Sequence, residues 1–138
     1  MFKRLTVIFS AVLLIFVFYS FSSYPIFYKY SNCLELYLNS ASSTANIVNA
    51  KVGSRWFYTN IRGESFKADK DSFDMNAFLS DYSARVVFIE EIEEGISYYA
   101  YSPKIKYRFK LLDKTINLQI FIGNNQVTVG APIIFGSF

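Results

Sequence analysis

The chain has 138 residues, of which 52% are hydrophobic, 20% aromatic and only 18% charged. Such a chain is too apolar to be disordered and too short for two ordinary domains, so we expect one compact domain plus an additional apolar segment. It contains no histidine, one cysteine and no glycine-rich nucleotide-binding pattern. We therefore expect neither a metal nor a cofactor, and favour a binding or structural role over catalysis.

The apolar excess lies at the N-terminus. Lys3 and Arg4 precede an uncharged run from Leu5 to Phe21. As a helix this run would span about 26 Å, slightly less than a hydrocarbon layer of about 30 Å. Ser20 and Ser22 supply the small residues of a signal-peptidase site. Three interpretations stay open: a retained single-pass anchor, a cleaved signal peptide, or a buried helix of a soluble fold.

The anchor interpretation is favoured by an aromatic cluster after the run, which resembles a belt at a membrane interface. The belt would comprise Tyr24, Phe27, Tyr28 and Tyr30, with Lys29 beside them. Residues 1–30 are thus predicted to be a transmembrane anchor or signal peptide. Because the first positive charges stay inside, the domain is expected outside the cell membrane, either anchored or secreted.

The charge of the exported part is almost balanced. Without Lys3 and Arg4, 12 basic residues oppose 11 acidic ones, so no nucleic-acid partner is expected. Cys33 has no second cysteine for an internal disulfide. It is predicted to be a partly buried small hydrophobe, with an intermolecular link as the alternative.

The middle of the chain is predicted to contain a linker, a strand and a helix. Residues 31–54 are assigned to a linker with at most a short helix, because Asn39 to Asn46 are all small or polar. The aromatic and β-branched residues of Arg55 to Arg62 predict a strand. Asp71 or Ser72 would cap the helix that follows. The predicted buried face of this helix comprises Phe73, Ala77, Phe78 and Tyr82.

Period-two patterns after Ser83 predict a meander of four or five strands. The predicted strands are Val86 to Ile92, Ile96 to Tyr101, Lys104 to Leu111, Ile116 to Ile122 and Val127 to Val129, with Ile133 to Phe135 beyond them. Short connections favour antiparallel pairing. The predicted fold class is therefore α+β: an N-terminal hydrophobic helix, then a small domain over residues 55–138 with a mainly antiparallel sheet, built as strand, helix and meander.

Three segments carry a family resemblance: Tyr98 to Ile105, Ile116 to Ile120, and Val129 to Ile134. Together they resemble the YwmB-like exported bacterial proteins, whose fold is similar to one half of the TATA-box-binding-protein architecture. The resemblance covers roughly Ala84 to Phe138. It implies an exported protein of spore-forming bacteria, a link to sporulation, and no catalytic residues to carry over.

A basic ladder is the most function-like feature of the chain. It comprises Lys104, Lys106, Arg108 and Lys110. On a strand this spacing would place four positive groups on one face. A solvated sheet face gives the same alternation and is favoured. The functional alternative is an anionic partner: wall polymer, lipid headgroups or an acidic protein surface.

An acidic hairpin offers a second candidate, made of Glu90, Glu91, Glu93 and Glu94. Because successive strand residues point to opposite faces, only Glu91 with Glu93, or Glu90 with Glu94, could converge. A solvated turn is favoured, and a small hydrolase using Glu91 and Glu93 is kept as an alternative.

The expected function is a non-enzymatic, exported or membrane-anchored envelope domain acting in binding or assembly. A further hypothesis is a homomeric structural subunit that pairs through its last strand. The apolar run Ile133 to Phe138 would supply that strand if exposed, although burial in the core is favoured. The oligomeric state stays open.

Overall fold

The computed structural model describes residues 2–22 and 24–136. The helices are α1 (Phe2–Ser22) and α2 (Met75–Asp81), and two short 3-10 helices cover Val52–Phe57 and Lys70–Ser72. The strands are β1 (Cys33–Leu38), β2 (Asn46–Lys51), β3 (Ile61–Asp69), β4 (Arg85–Ile92), β5 (Gly95–Tyr101), β6 (Phe109–Leu111), β7 (Lys114–Ile116), β8 (Leu118–Ile122) and β9 (Gln126–Ala131). The predicted α+β class, with an N-terminal helix and an antiparallel sheet, is confirmed.

Seven strands form one sheet in the order β2-β1-β3-β9-β8-β5-β4, while β6 and β7 pair as a separate hairpin. Each pair of neighbours is antiparallel. Strand β9 lies between β3 and β8, so it joins the N-terminal strands to the β4–β5–β8 meander. The edges of this sheet are β2 and β4.

Residues 31–54 contain the sheet strands β1 and β2, so the predicted linker and the predicted domain start at residue 55 are wrong. Leu34 and Leu36 in β1 are buried in the core. The stretch between Leu38 and Asn46 is a loop that connects β1 to β2. The β2 strand escaped prediction because, as an edge strand, it carries polar residues such as Asn49.

The predicted strand from Arg55 to Arg62 is also wrong. The chain runs through the 3-10 helix Val52–Phe57, turns at Asn60 with a positive φ of 55°, and enters β3 at Ile61. The physical reason is Arg55, which is buried against Glu64 of β3. An extended chain would have carried this guanidinium away from that carboxylate.

Helix α2 lies close to its predicted position, but its cap is neither Asp71 nor Ser72. The Asp74 side chain caps it by accepting a hydrogen bond from the Ala77 N–H at 3.0 Å. Residues 70–72 form the preceding 3-10 helix instead, capped by Asp69. Phe78 faces the core as predicted, whereas Ala77 is exposed.

Two predicted strands at the C-terminal end differ from the observed structure. Residues 104–108 have no strand structure, and β6 covers only Phe109–Leu111. The reason lies in Asn117, which binds the backbone of Ser102 and Ile105 and holds this segment in a turn. Residues 133–135 are likewise not a strand. Ser137 and Phe138 lie outside the described residues.

The core fills the sheet face that α2 covers. Phe27 has no exposed surface and packs against Phe66 and Phe78, with ring centroids 5.1 and 6.1 Å away. Tyr30 joins the cluster, and its hydroxyl donates a hydrogen bond to Asp81 at 2.8 Å. Phe27 and Tyr30 therefore belong to the domain, and the interpretation of both as members of an interfacial belt is wrong.

The segment after β9 covers the opposite face of the sheet. Ile134 is buried, and its N–H donates to the Gln119 side chain at 3.0 Å. The Phe135 N–H donates to the Tyr37 hydroxyl at 3.2 Å. Strand β9 is hydrogen-bonded on both sides, by β3 and β8, and the described part of the following segment packs against the sheet.

Helix α1 exposes large apolar side chains along its described length, from Leu5 to Tyr19. Its Ser10 hydroxyl donates to the Thr6 carbonyl one turn earlier, at 2.9 Å. Among the residues that the structure describes, no helix combines the length and the apolar character that a membrane crossing requires.

Candidate functional site: a basic aromatic groove

A groove of about 650 Å³ lies between the β4–β5 pair and the β6–β7 hairpin. Its lining residues are Arg85, Val86, Val87, Tyr101, Arg108, Lys114 and Thr115. We call this surface the basic groove. Its position follows from a register shift between Val86 and Phe88, because such a bulge twists an edge strand and redirects its side chains.

Two arginines flank one tyrosine in the basic groove. Arg85 and Tyr101 are direct cross-strand partners, and the Arg85 guanidinium carbon lies 5.8 Å from the ring centroid. The Arg108 guanidinium carbon lies 5.0 Å from the same centroid. Guanidinium groups stack on aromatic faces and keep their N–H donors available at the edge, so this arrangement holds two forked donors side by side.

Arg108 is fixed from behind by the turn that precedes it. Its guanidinium donates to the carbonyl oxygens of Ile105 and Tyr107. The turn itself is held by the buried Asn117, whose amide nitrogen donates to the Ser102 and Ile105 carbonyls at 2.7 and 2.9 Å. Asn117 is thus a positioning residue for one wall of the groove.

Lys114 supplies the third cation, from the hairpin side. Its Nζ lies 5.3 Å from the Phe88 ring centroid, and Phe88 stacks on Tyr99 at 4.4 Å. Burial raises the pKa of Tyr99, and the hydrogen bond that its hydroxyl donates to Glu90 at 2.9 Å raises it further. The aromatic stack therefore stays neutral at physiological pH.

The charge of the basic groove is not neutralised from within. None of its lining residues is acidic, and over residues 2–22 and 24–136 the ion pairs join Lys29 to Asp81 and Arg55 to Glu64. Three cations that share one concave surface without a carboxylate produce a positive local field, which attracts anions.

The predicted basic ladder does not lie on one surface. Arg108 lines the basic groove, whereas Lys106 lines a different pocket. The Lys104 ammonium donates to the Asp81 carbonyl at 2.6 Å, and Lys110 is exposed on β6. All four side chains are exposed, but the turn over residues 102–108 points them in different directions.

The sequence-based reasoning missed Arg85 and Lys114. Arg85 directly precedes the predicted strand that starts at Val86, and pairing that strand with the next one would have suggested Tyr101 as its neighbour. No local signal brings Lys114 to the same place, because its position depends on how the β6–β7 hairpin folds back over β4.

A second polar site surrounds a buried ion pair. Arg55 Nη2 and Glu64 Oε2 are 3.3 Å apart, with side chains 6% and 0% exposed. The other carboxylate oxygen, Glu64 Oε1, accepts the Phe27 N–H at 2.9 Å. Burial raises the pKa of Glu64. The Arg55 charge and the backbone N–H groups of Phe27 and Ile26 lower it, but they offset only part of that rise. We call this arrangement the Glu64 clamp.

Next to the Glu64 clamp lies a pocket of about 350 Å³. It is lined by Tyr19, Arg55, Trp56, Tyr58, Thr59, Asn60, Ile61 and Lys106. Beneath it, burial and the Glu64 charge raise the pKa of Tyr107 to about 12, against the opposing effect of Arg55 and Arg62. This pocket thus combines hydroxyl, amide and cationic groups beside α1.

The four glutamates of the acidic hairpin lie at the end of β4 and in the turn that follows it. Glu91, Glu93 and Glu94 are exposed, and Glu90 accepts a hydrogen bond from the Tyr99 hydroxyl. Over the described ranges no three His, Cys, Asp or Glu side chains converge in a way that could hold a metal ion. Cys33 is exposed and not in a disulfide, so the prediction that it is partly buried is wrong.

Comparison with known proteins adds no identification. No family model matches the chain, and neither does any curated protein or solved structure.

Proposed function

We propose that this chain is a non-enzymatic envelope domain on the outer side of a membrane, and that its basic groove binds an anionic envelope polymer. The observation that carries the proposal is that Arg85, Arg108 and Lys114 line one groove without an acidic residue, with both arginines against the Tyr101 ring. A polymer of repeated phosphates would meet forked guanidinium donors and one ammonium.

The extracytoplasmic location is supported by the N-terminal segment. Two basic residues precede an apolar helix, and the side chains from Leu5 to Tyr19 are solvent-exposed. Such a helix gains free energy by leaving water. The first buried residues of the domain are Pro25 and Phe27, immediately after α1. Cleavage and retention of the segment are therefore both compatible with an intact domain, and both stay predictions.

The chemistry of the groove favours a polyanion with flexible geometry. The Tyr101 ring is already covered by two guanidinium groups. A ligand with a base or sugar ring would have to displace them to stack on Tyr101, whereas a chain of phosphates would not. A nucleic acid would be on the wrong side of the membrane. The proposed link to sporulation rests on the family resemblance alone and stays a prediction.

A titration of the full-length chain in detergent micelles tests the proposal, with poly(glycerol phosphate) as the probe. We expect saturable binding at low salt that weakens steeply as salt screens the charges. The variant Arg85→Gln, Arg108→Gln, Lys114→Gln should lose at least ten-fold in affinity. The matched control Lys51→Gln, Lys67→Gln, Lys70→Gln removes the same charge from exposed positions outside the groove and should bind almost as wild type. Equal losses in both variants would contradict the proposal.

A further inference from the structure

The 3-10 helix Val52–Phe57 presents two large aromatic side chains to solvent. Phe57 is 85% exposed and Trp56 is 47% exposed. We call these two residues the aromatic tip. Most of the large apolar residues with comparable exposure lie in α1. Exposed neighbouring aromatic residues are costly to hold in water and mark interaction surfaces.

The aromatic tip is held rigidly beside the exit of α1. Arg55, the residue before the tip, is anchored by Glu64, and the same carboxylate accepts the Phe27 N–H. The Tyr82 hydroxyl adds a hydrogen bond to the Ile26 carbonyl at 2.6 Å. One buried carboxylate therefore fixes both the start of the domain and the orientation of the tip.

The polar pocket next to the tip links it to the helix. Tyr19 of α1 and Trp56 line the same pocket of about 350 Å³, and Lys106 lines it as well. This order of groups matches the layers of a membrane interface. An apolar helix fits the hydrocarbon layer, tyrosine and tryptophan fit the headgroup depth, and lysine fits the level of the phosphates.

We propose that the aromatic tip inserts into the headgroup region of the lipid bilayer, with a phospholipid phosphate in the adjoining pocket near Lys106. The proposal rests on the membrane location argued above. It does not depend on the basic groove, which shares no lining residue with this pocket. The domain would then have a fixed orientation, with the aromatic tip facing the bilayer.

Trp56 is the only tryptophan of the chain, so its fluorescence reports on the tip directly. The full-length chain is reconstituted into vesicles of phosphatidylcholine and phosphatidylglycerol whose acyl chains carry bromine near the headgroup. We expect a blue-shifted emission and quenching of Trp56 by the brominated lipid. Quenching should be stronger with brominated phosphatidylglycerol, and Lys106→Gln should remove that difference.

A control variant, Trp56→Phe with Ile89→Trp, moves the reporter to an exposed position on the edge strand β4. Its emission should remain red-shifted and be quenched by aqueous iodide. If the chain floats with the vesicles but Trp56 emission stays red-shifted and is quenched by iodide, the proposal for the aromatic tip is overturned and the membrane location is not. Failure of the chain to float with vesicles would overturn the membrane location as well. A blue shift without bromine quenching would assign the tip to a protein contact and also overturn the proposal.

Discussion

The Glu64 clamp allows a quantitative test of how the domain is held to its N-terminal segment. The substitutions are Arg55→Met, Glu64→Gln and the two combined. Arg55 and Glu64 are 3.3 Å apart and almost fully buried. Removing one partner of such a pair leaves a charge in a medium that solvates it poorly, which costs about 3–5 kcal/mol. The combined variant removes both charges and should cost much less than the sum of the single ones.

The pH dependence of Arg55→Met has a definite sign. Burial already raises the pKa of Glu64 above its ordinary value of 4.5, and loss of Arg55 raises it further. The folded state then binds more protons than the unfolded state between those two pKa values, so stability falls as pH rises through that interval. The loss in Arg55→Met should therefore be smaller at pH 5 than at pH 8.

Urea unfolding of the full-length chain in non-ionic detergent, followed by circular dichroism at pH 5 and pH 8, provides the measurement. The reasoning requires a coupling free energy of at least about 2 kcal/mol at pH 8 between the two substitutions. Additive costs within about 0.5 kcal/mol, or an Arg55→Met variant that is least stable at pH 5, would refute it.

Three further predictions concern the core, the sheet and alkaline pH. Phe27→Ala should cost about 3–5 kcal/mol in urea unfolding, because it empties a fully buried site; a chain starting at residue 31 should accordingly not unfold cooperatively, whereas one starting at 24 should. Gly63→Ala should cost about 1–3 kcal/mol, since its Cβ would lie 2.5 Å from the Ala131 carbonyl oxygen, and a variant as stable as wild type would rule out that close approach. Burial raises the pKa of Tyr30 and of Tyr107 to about 12 each, so unfolding scans should show stability falling between pH 10 and 12 as the unfolded state loses these protons first.

The sequence predicts β4 and β5 of the meander well, because their apolar and polar residues alternate along a sheet with two different faces. Strands β4 and β5 begin within one residue of their predicted positions. It does not predict β1 and β2, since six-residue strands beside a polar loop give little periodic signal. Nor does it indicate that Glu64 is buried: a lone glutamate between Gly63 and Ser65 suggests an exposed position, and only the distant Arg55 and the Phe27 N–H explain its burial.

The functional site was also only partly predictable from the sequence. The sequence singles out Arg108 as one of four evenly spaced cations, and the structure separates these four into different surfaces. The groove depends on three long-range features: the bulge in β4, the Asn117 hydrogen bonds to the turn, and the hairpin that carries Lys114. Each forms only when distant segments pack together, so a strand pattern alone could not have located the site.

The central claim is that the basic groove is where an anionic polymer binds, and arginine side-chain resonances test this most directly. In the full-length chain in micelles, the Nε–Hε signals of Arg85, Arg108 and Arg62 are followed by nuclear magnetic resonance while poly(glycerol phosphate) is added. Arg62 is exposed on β3, outside the groove, and serves as the internal reference. We predict saturable shifts of the Arg85 and Arg108 signals at concentrations that leave Arg62 unchanged. Equal shifts of all three signals, or none at low salt, would contradict the claim.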